Sequence, residues 1–185
     1  MVNEIQASAE ARMKKAVEAL KREHSTVRTG RASAALVEGL LVDYYGTSMP
    51  LKQLATITVP EARLILIQPF DKQALTAIEK AILKANLGLT PSNDGAVVRV
   101  PVPQLTEERR RELVKIVKAR LEDGKIEVRN IRRDAIEQLR TMERNKETSQ
   151  DESQRTQGDI QQITDASTRE MEAITIAKET EVMEV

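Results

Sequence analysis

The 185-residue chain contains no cysteine, no tryptophan and a single histidine, His24. Without cysteine there are no disulfides, no thiolate metal ligands and no thiol nucleophile. One histidine cannot build a multi-histidine metal site, and a serine–histidine–aspartate triad would have to use it. Aromatic residues are limited to Tyr44, Tyr45 and Phe70, so any core is aliphatic and a β-sandwich is disfavoured. No apolar run approaches the roughly 18–20 residues of a membrane span. The N-terminal stretch is interrupted by Glu4 and Glu10 and has no apolar signal-peptide segment. No membrane partner is expected, and a cytoplasmic location is. Phosphate-cradling glycine motifs are also missing, no cofactor is implied, and the catalytic inventory is empty. The chain reads as something other than an enzyme.

Charge of one sign is not in excess: 29 Lys and Arg stand against 29 Asp and Glu. The distribution is uneven, however. By count, residues 1–30 carry a balance of +2, residues 31–105 +1, residues 106–147 +3 and residues 148–185 −6. A basic segment therefore precedes an acidic one, which points to an anionic partner on one face only.

Three stretches have helical periodicity. Met13, Val17, Leu20, His24 and Val27 recur at steps of four and three, led by Ile5 and Ala9, and glycine at Gly30 closes the run. Here His24 is a packing residue of the seam. A second seam follows the N-cap Thr106 and runs through Leu113, Val117, Leu121, Gly124, Val128, Ile131, Ala135, Leu139 and Met142. At ~1.5 Å per residue it spans roughly 60 Å, and Gly124 allows a bend. A third stripe takes Ile160, Ile163, Ala166, Met171, Ile174, Ala177 and Val182 inward. Three such stripes bury one another as a three-helix bundle.

All six prolines lie between Pro50 and Pro103. The same region carries four strand-like runs (40–45, 55–59, 64–67 and 97–100) and one helical run through Leu75, Ile78, Ile82 and Ala85 behind the cap Asp71. The expected organisation is a discontinuous bundle, 1–30 with 106–185, and an inserted α+β domain, 31–105. The chain crosses between them at Gly30, Arg31 and Ala32 and again at Pro101, Pro103, Gln104 and Leu105. Two short connections side by side are expected to act as a hinge.

The chemistry-bearing pattern is cationic. Arg111, Lys115, Lys118, Lys125, Arg129 and Arg132 differ by four, three, seven, four and three residues and share one stripe beside the apolar seam. Arginine forks suit phosphates. The pattern alone fits a phosphate-binding face and an ordinary solvated helix face equally well. Few aromatics argue against base stacking and for contacts to backbone and shape. A helical scaffold or chaperone-like module gripping other proteins is the alternative of a different class.

The segments Arg28–Ser33, Val42–Thr47, Pro103–Arg110 and Val128–Ala135, taken in order over the full length, resemble the ribosome recycling factor family. The resemblance implies an α+β fold in which a long antiparallel three-helix bundle carries an inserted small β/α/β domain, arranged in an L shape. It further implies a monomer that binds the post-termination ribosome between the subunits and, with elongation factor G and GTP, splits it. The family's basic positions map onto Arg28, Arg31, Arg110, Arg129, Arg132 and Arg133, with large-subunit ribosomal RNA as the expected contact.

Overall fold

The computed structural model describes residues 1–184 and divides into two compact units. One comprises Met1–His24 and Val114–Glu181; the other comprises Ser25–Leu113 and the chain end from Val182 onward. The boundaries therefore fall inside the first helix, inside the helix that begins at Glu107 and near the end of the helix that closes the chain, the first two several residues away from the expected hinge positions.

The first unit is built on helices α1 (Val2–Ser25), α4 (Glu107–Arg144) and α5 (Gln150–Met183). Cross-helix contacts set their directions. Arg12 pairs with Asp134 at 3.5 Å, and Arg120 donates to the Glu23 carbonyl at 2.7 Å, so position numbers rise along α1 as they fall along α4. Arg132 meets Gln161 and Lys125 meets Glu172, which makes α4 and α5 antiparallel as well. Ala9, Met13, Ala16, Val17 and Leu20 pack against Val128, Ile131, Ala135 and Leu139 of α4 and against Ile160 and Met171 of α5. Burying this continuous aliphatic layer, at about 25 cal/mol per Å², is what holds three otherwise polar helices together.

Helix α4 starts as its sequence predicts: the Thr106 hydroxyl accepts the Arg109 N–H at 3.1 Å. It runs as one element for 38 residues, about 57 Å at the standard rise. Gly124 does not interrupt it. A Cβ placed there would lie 3.3 Å from Met171 Sδ and 3.4 Å from its Cε. The glycine lets α4 approach α5 closely.

Helix α5 begins at a cap in which Ser149 Oγ accepts the Glu152 N–H at 3.1 Å. Its inward face departs from the aliphatic stripe: Ser153, Thr156, Thr164 and Thr175 are buried, while Ala166 and Ala177 are exposed. Three of these four hydroxyls have partners within the bundle. Thr164 donates to the Ile160 carbonyl at 2.8 Å, Gln157 donates to Ser153 Oγ at 3.1 Å, and Thr175 Oγ1 lies 2.9 Å from His24 Nε2.

The second unit opens with an antiparallel hairpin, β1 (Leu41–Tyr44) and β2 (Thr47–Pro50). Tyr45 and Gly46 at its tip both have positive φ, 51° and 80°, the geometry that two-residue hairpin turns demand. A single helical turn, α2 (Leu51–Leu54), leads to β3 (Ala55–Glu61) and β4 (Leu64–Pro69). Helix α3 (Leu75–Lys84) follows, then β5 (Ser92–Asn93) and β6 (Val98–Pro101). The last four strands form an antiparallel sheet ordered β3-β4-β6-β5. Ile65, Ile67, Val98 and Val100 project from it onto Ile78 and Ile82 of α3, all at or near zero exposure. Asp71 caps the turn that precedes α3, accepting the Gln73 N–H at 2.9 Å.

Candidate nucleic-acid interface

Because the seam of α4 is engaged by α1 and α5, its charged residues sort by which neighbour they meet. Toward the N-terminal end several cations are tied down, although Lys115 and Lys118 are exposed with no ion pair among the described residues. Arg111 pairs with Glu107 at 2.6 Å and Arg109 with Glu112 at 2.9 Å. Lys125 is largely covered, with 17% of its side chain exposed, and sits 2.9 Å from Glu172. The continuous stripe read from 111 to 132 is thus broken at two of its six members, since Arg111 and Lys125 are already neutralised by carboxylates.

The C-terminal half of α4 is different. Arg129, Arg132, Arg133, Arg140 and Arg144 line one open groove of about 880 Å³, together with Ile136, Glu137, Glu143, Gln154 and Gln157. Steps of four, seven and four from 129 through 133, 140 and 144 keep these guanidiniums on one helix face. Five arginines face two glutamates, and neither glutamate forms an ion pair with them among the described residues. Arg132 donates to Gln161 Oε1 at 2.8 Å and Arg144 to Thr141 Oγ1 at 3.3 Å, both neutral partners. Asp134, next to Arg133 in the chain, pairs with Arg12 on α1 at 3.5 Å. Arg129, Arg133 and Arg140 are exposed and have no side-chain partner among the described residues. Free guanidinium forks in a shallow polar trough are suited to phosphate oxygens.

Arg140 and Arg144 belong to the groove but were not singled out from the sequence. The signal was available, as they continue the 129–133 face by seven and eleven residues.

Arg28, Arg31 and Arg110, all in the second unit, have divergent environments. Arg31 is exposed. Arg28 is half-buried, and its Nη2 donates to the Pro103 carbonyl at 2.6 Å while Nε is buried without a partner. Burial, and secondarily the charge of Arg109, hold its pKa below the usual guanidinium value. Arg110 is 6% exposed. Its Nη1 donates to the Val182 carbonyl at 2.7 Å and also to the carbonyl of Glu184. Arg110 therefore does not fit the phosphate-contact role expected of it: it caps carbonyls at the end of α5 and would have to abandon them to reach RNA. Nothing in the triplet 109–111 distinguishes the buried arginine, since the chain end that buries it is more than seventy residues away.

His24 completes the polar inventory. It is 2% exposed, with Nδ1 unpartnered and Nε2 against Thr175. Burial above all, then the positive charges of Arg120 and Lys178, push its pKa below the ordinary imidazole value. Among the described residues no group of three or more His, Cys, Asp or Glu side chains could hold a metal ion, and no helix is long and apolar enough to cross a membrane.

A family model described as ribosome recycling factor matches residues 20–183. The ribosome-recycling factor of Roseiflexus sp. (strain RS-1) is 56% identical over 185 residues, covering all of both chains. That of Chloroflexus aurantiacus is 58% identical, again over both full lengths. A solution structure of a ribosome recycling factor superposes with a TM-score of 0.80 at 46% identity, covering 100% of this chain and 98% of the other. The T. thermophilus ribosome recycling factor, in models with E. coli elongation factor G on the E. coli post-termination complex, gives a TM-score of 0.69 at 40% identity over both full lengths.

Proposed function

The chain belongs to the ribosome recycling factor family, a family of translation factors and not of enzymes, and from that premise we propose that it binds the post-termination ribosome in the cytoplasm. With elongation factor G and GTP it splits that ribosome into subunits and frees it from mRNA. The partners are those of the T. thermophilus relative, which is described together with elongation factor G on a post-termination complex.

The observation that carries the reading is the arginine groove of α4. Arg129, Arg132 and Arg133, joined by Arg140 and Arg144, supply the contacts to large-subunit ribosomal RNA, and Arg31 supplies one at the hinge. The helices behind the groove share a packed aliphatic core, so a force applied at one end is not absorbed by side-chain rearrangement. Residues 1–30 and 106–185 act as the anchored body, and residues 31–105 as the part that moves. The joint is formed by Gly30, Arg31 and Ala32 with Pro101, Pro103, Gln104 and Leu105. The two connections lie side by side: a Cβ on Gly30 would be 3.8 Å from the Leu105 nitrogen, and Arg28 bonds the Pro103 carbonyl. A single monomer suffices for the whole cycle.

The test is subunit splitting followed by light scattering, with purified post-termination ribosomes, elongation factor G and GTP. Splitting that requires all three components together with this chain is expected. Absence of splitting with every component present would overturn the function.

A further inference from the structure

The second unit carries a groove that the arginine site does not use. It measures about 900 Å³ and lies between the outward side of the β1–β2 hairpin and helix α3. The alternation of a strand creates one wall. Val42 faces the core at 0% exposure, so Leu41 and Asp43 on either side of it face outward. On α3 the core takes Ile78 and Ile82, which leaves Ala77, Lys80, Ala81 and Lys84 for the groove. The floor is therefore aliphatic, and Leu41 stands 65% exposed in it.

A lone exposed leucine is ordinary; this one has company. Tyr45, 73% exposed, donates its hydroxyl to Gln73, itself a lining residue, and its ring meets Tyr44 edge-on at 4.6 Å. Tyr44 is in turn held by Asp71 at 2.7 Å. In a chain with three aromatic residues, one is fixed and presented to solvent beside an apolar trough. A pre-ordered tyrosine at a concave aliphatic surface is the usual composition of a protein-binding hot spot. The rim is also sided. Lys80 and Lys84, one helical turn apart and exposed, have no ion pair or hydrogen bond among the described residues.

We propose that this groove docks a protein segment that presents aliphatic side chains along one face and carboxylates beside them. The aliphatic side chains cover Leu41, Ala77 and Ala81, and the carboxylates pair with Lys80 and Lys84. RNA fits less well. The groove has no arginine fork, and its floor is aliphatic with no exposed aromatic for base stacking among its lining residues. The inference rests on the ribosomal function only for where the partner is sought. The wild-type splitting assay reports on that function by itself, so the two failures are told apart.

The experiment places the photoreactive residue p-benzoylphenylalanine at position 41 or at position 84 of the full chain. Each version is irradiated on purified post-termination ribosomes with elongation factor G and GTP, and the cross-linked product is sequenced. A protein segment with Asp or Glu interspersed among aliphatic residues is expected. Cross-links to RNA alone, to a Lys- and Arg-rich segment, or to nothing from either position would overturn the proposal. In parallel, Leu41→Asp and Lys84→Glu, both at exposed sites, should slow splitting about tenfold, the loss typical of a hot-spot residue. Binding of the arginine groove to vacant ribosomes should not change. Wild-type splitting rates in both variants would also overturn it.

Discussion

The sharpest consequence of the arginine groove concerns salt. Each phosphate neutralised by a protein cation releases condensed counterions, so log affinity falls with log salt by about 0.7–0.9 per contact. Arg129, Arg133 and Arg140 have no side-chain partner to give up, so each can contribute a full contact. Replacing all three with alanine should therefore flatten the slope by about 2–3. Across a fourfold rise in salt, one contact corresponds to about a threefold change in affinity, and three contacts to roughly 20–40-fold. The assay is cosedimentation with vacant ribosomes from 50 to 200 mM salt, with circular dichroism to show that the exposed substitutions leave the helices intact. Arg111→Ala is the internal control. Arg111 is equally cationic and exposed but is paired with Glu107 at 2.6 Å, so its loss should leave the slope nearly unchanged. An unaltered slope in the triple variant, or an equal effect from Arg111→Ala, would refute the idea that pairing decides which arginines touch RNA.

Three further outcomes follow from individual side chains. Arg110→Ala should cost about 2–3 kcal/mol in urea unfolding, because carbonyls at the end of α5 lose a charged donor. It should not alter the salt slope, and a slope change of one unit would return Arg110 to the interface. His24 is held neutral in the fold, with its pKa below the ordinary 6.5. The unfolded chain thus binds its proton first, and stability is fully present above pH 6.5 and falls as pH drops through the window beneath it. His24→Gln, which keeps a partner for Thr175, should lack that component of the decline; parallel pH–stability curves for the two proteins would count against it. Gly124→Leu should destabilise by about 2–3 kcal/mol by driving side-chain bulk into Met171 and Leu20. Gly124→Ala should stay within about 1 kcal/mol of wild type, because the gain in helix propensity offsets a small shift of Met171.

Much of the architecture was legible because one-dimensional periodicity reports the side of a helix that is buried. The seams of α1 and α4 lie inward nearly residue for residue, with Met13, Val17, Leu20, Val117, Val128, Ile131 and Leu139 all close to zero exposure. Capping was legible for the same reason, since Thr106 and Asp71 act on their own next turn. The stripe of α5 was misplaced where hydroxyls replaced aliphatics. Ser153, Thr156, Thr164 and Thr175 look polar in sequence yet are buried, and Ser153, Thr164 and Thr175 have hydrogen-bond partners within the bundle. Strands β2 and β5 were missed because neither has an apolar face of its own: Thr47–Pro50 is identified by pairing with β1, and Ser92–Asn93 by pairing with β6.

The arginine groove of α4 was only partly legible in its membership, and the reason is geometric. Periodicity places a charge on a helix face, but whether that charge is free depends on the register of the next helix. Lys125 and Arg129 are one turn apart on the same stripe. Glu172 of α5 stands opposite the first, and no carboxylate among the described residues pairs with the second. Along α5 the residues facing the groove are Gln154 and Gln157, and Gln161 meets Arg132. These amides can orient a guanidinium without neutralising it. The cationic character of the groove is therefore set as much by the uncharged glutamines of α5 as by the arginines of α4. Exchanging Gln154 and Gln157 for glutamate would quench the groove without removing a single arginine.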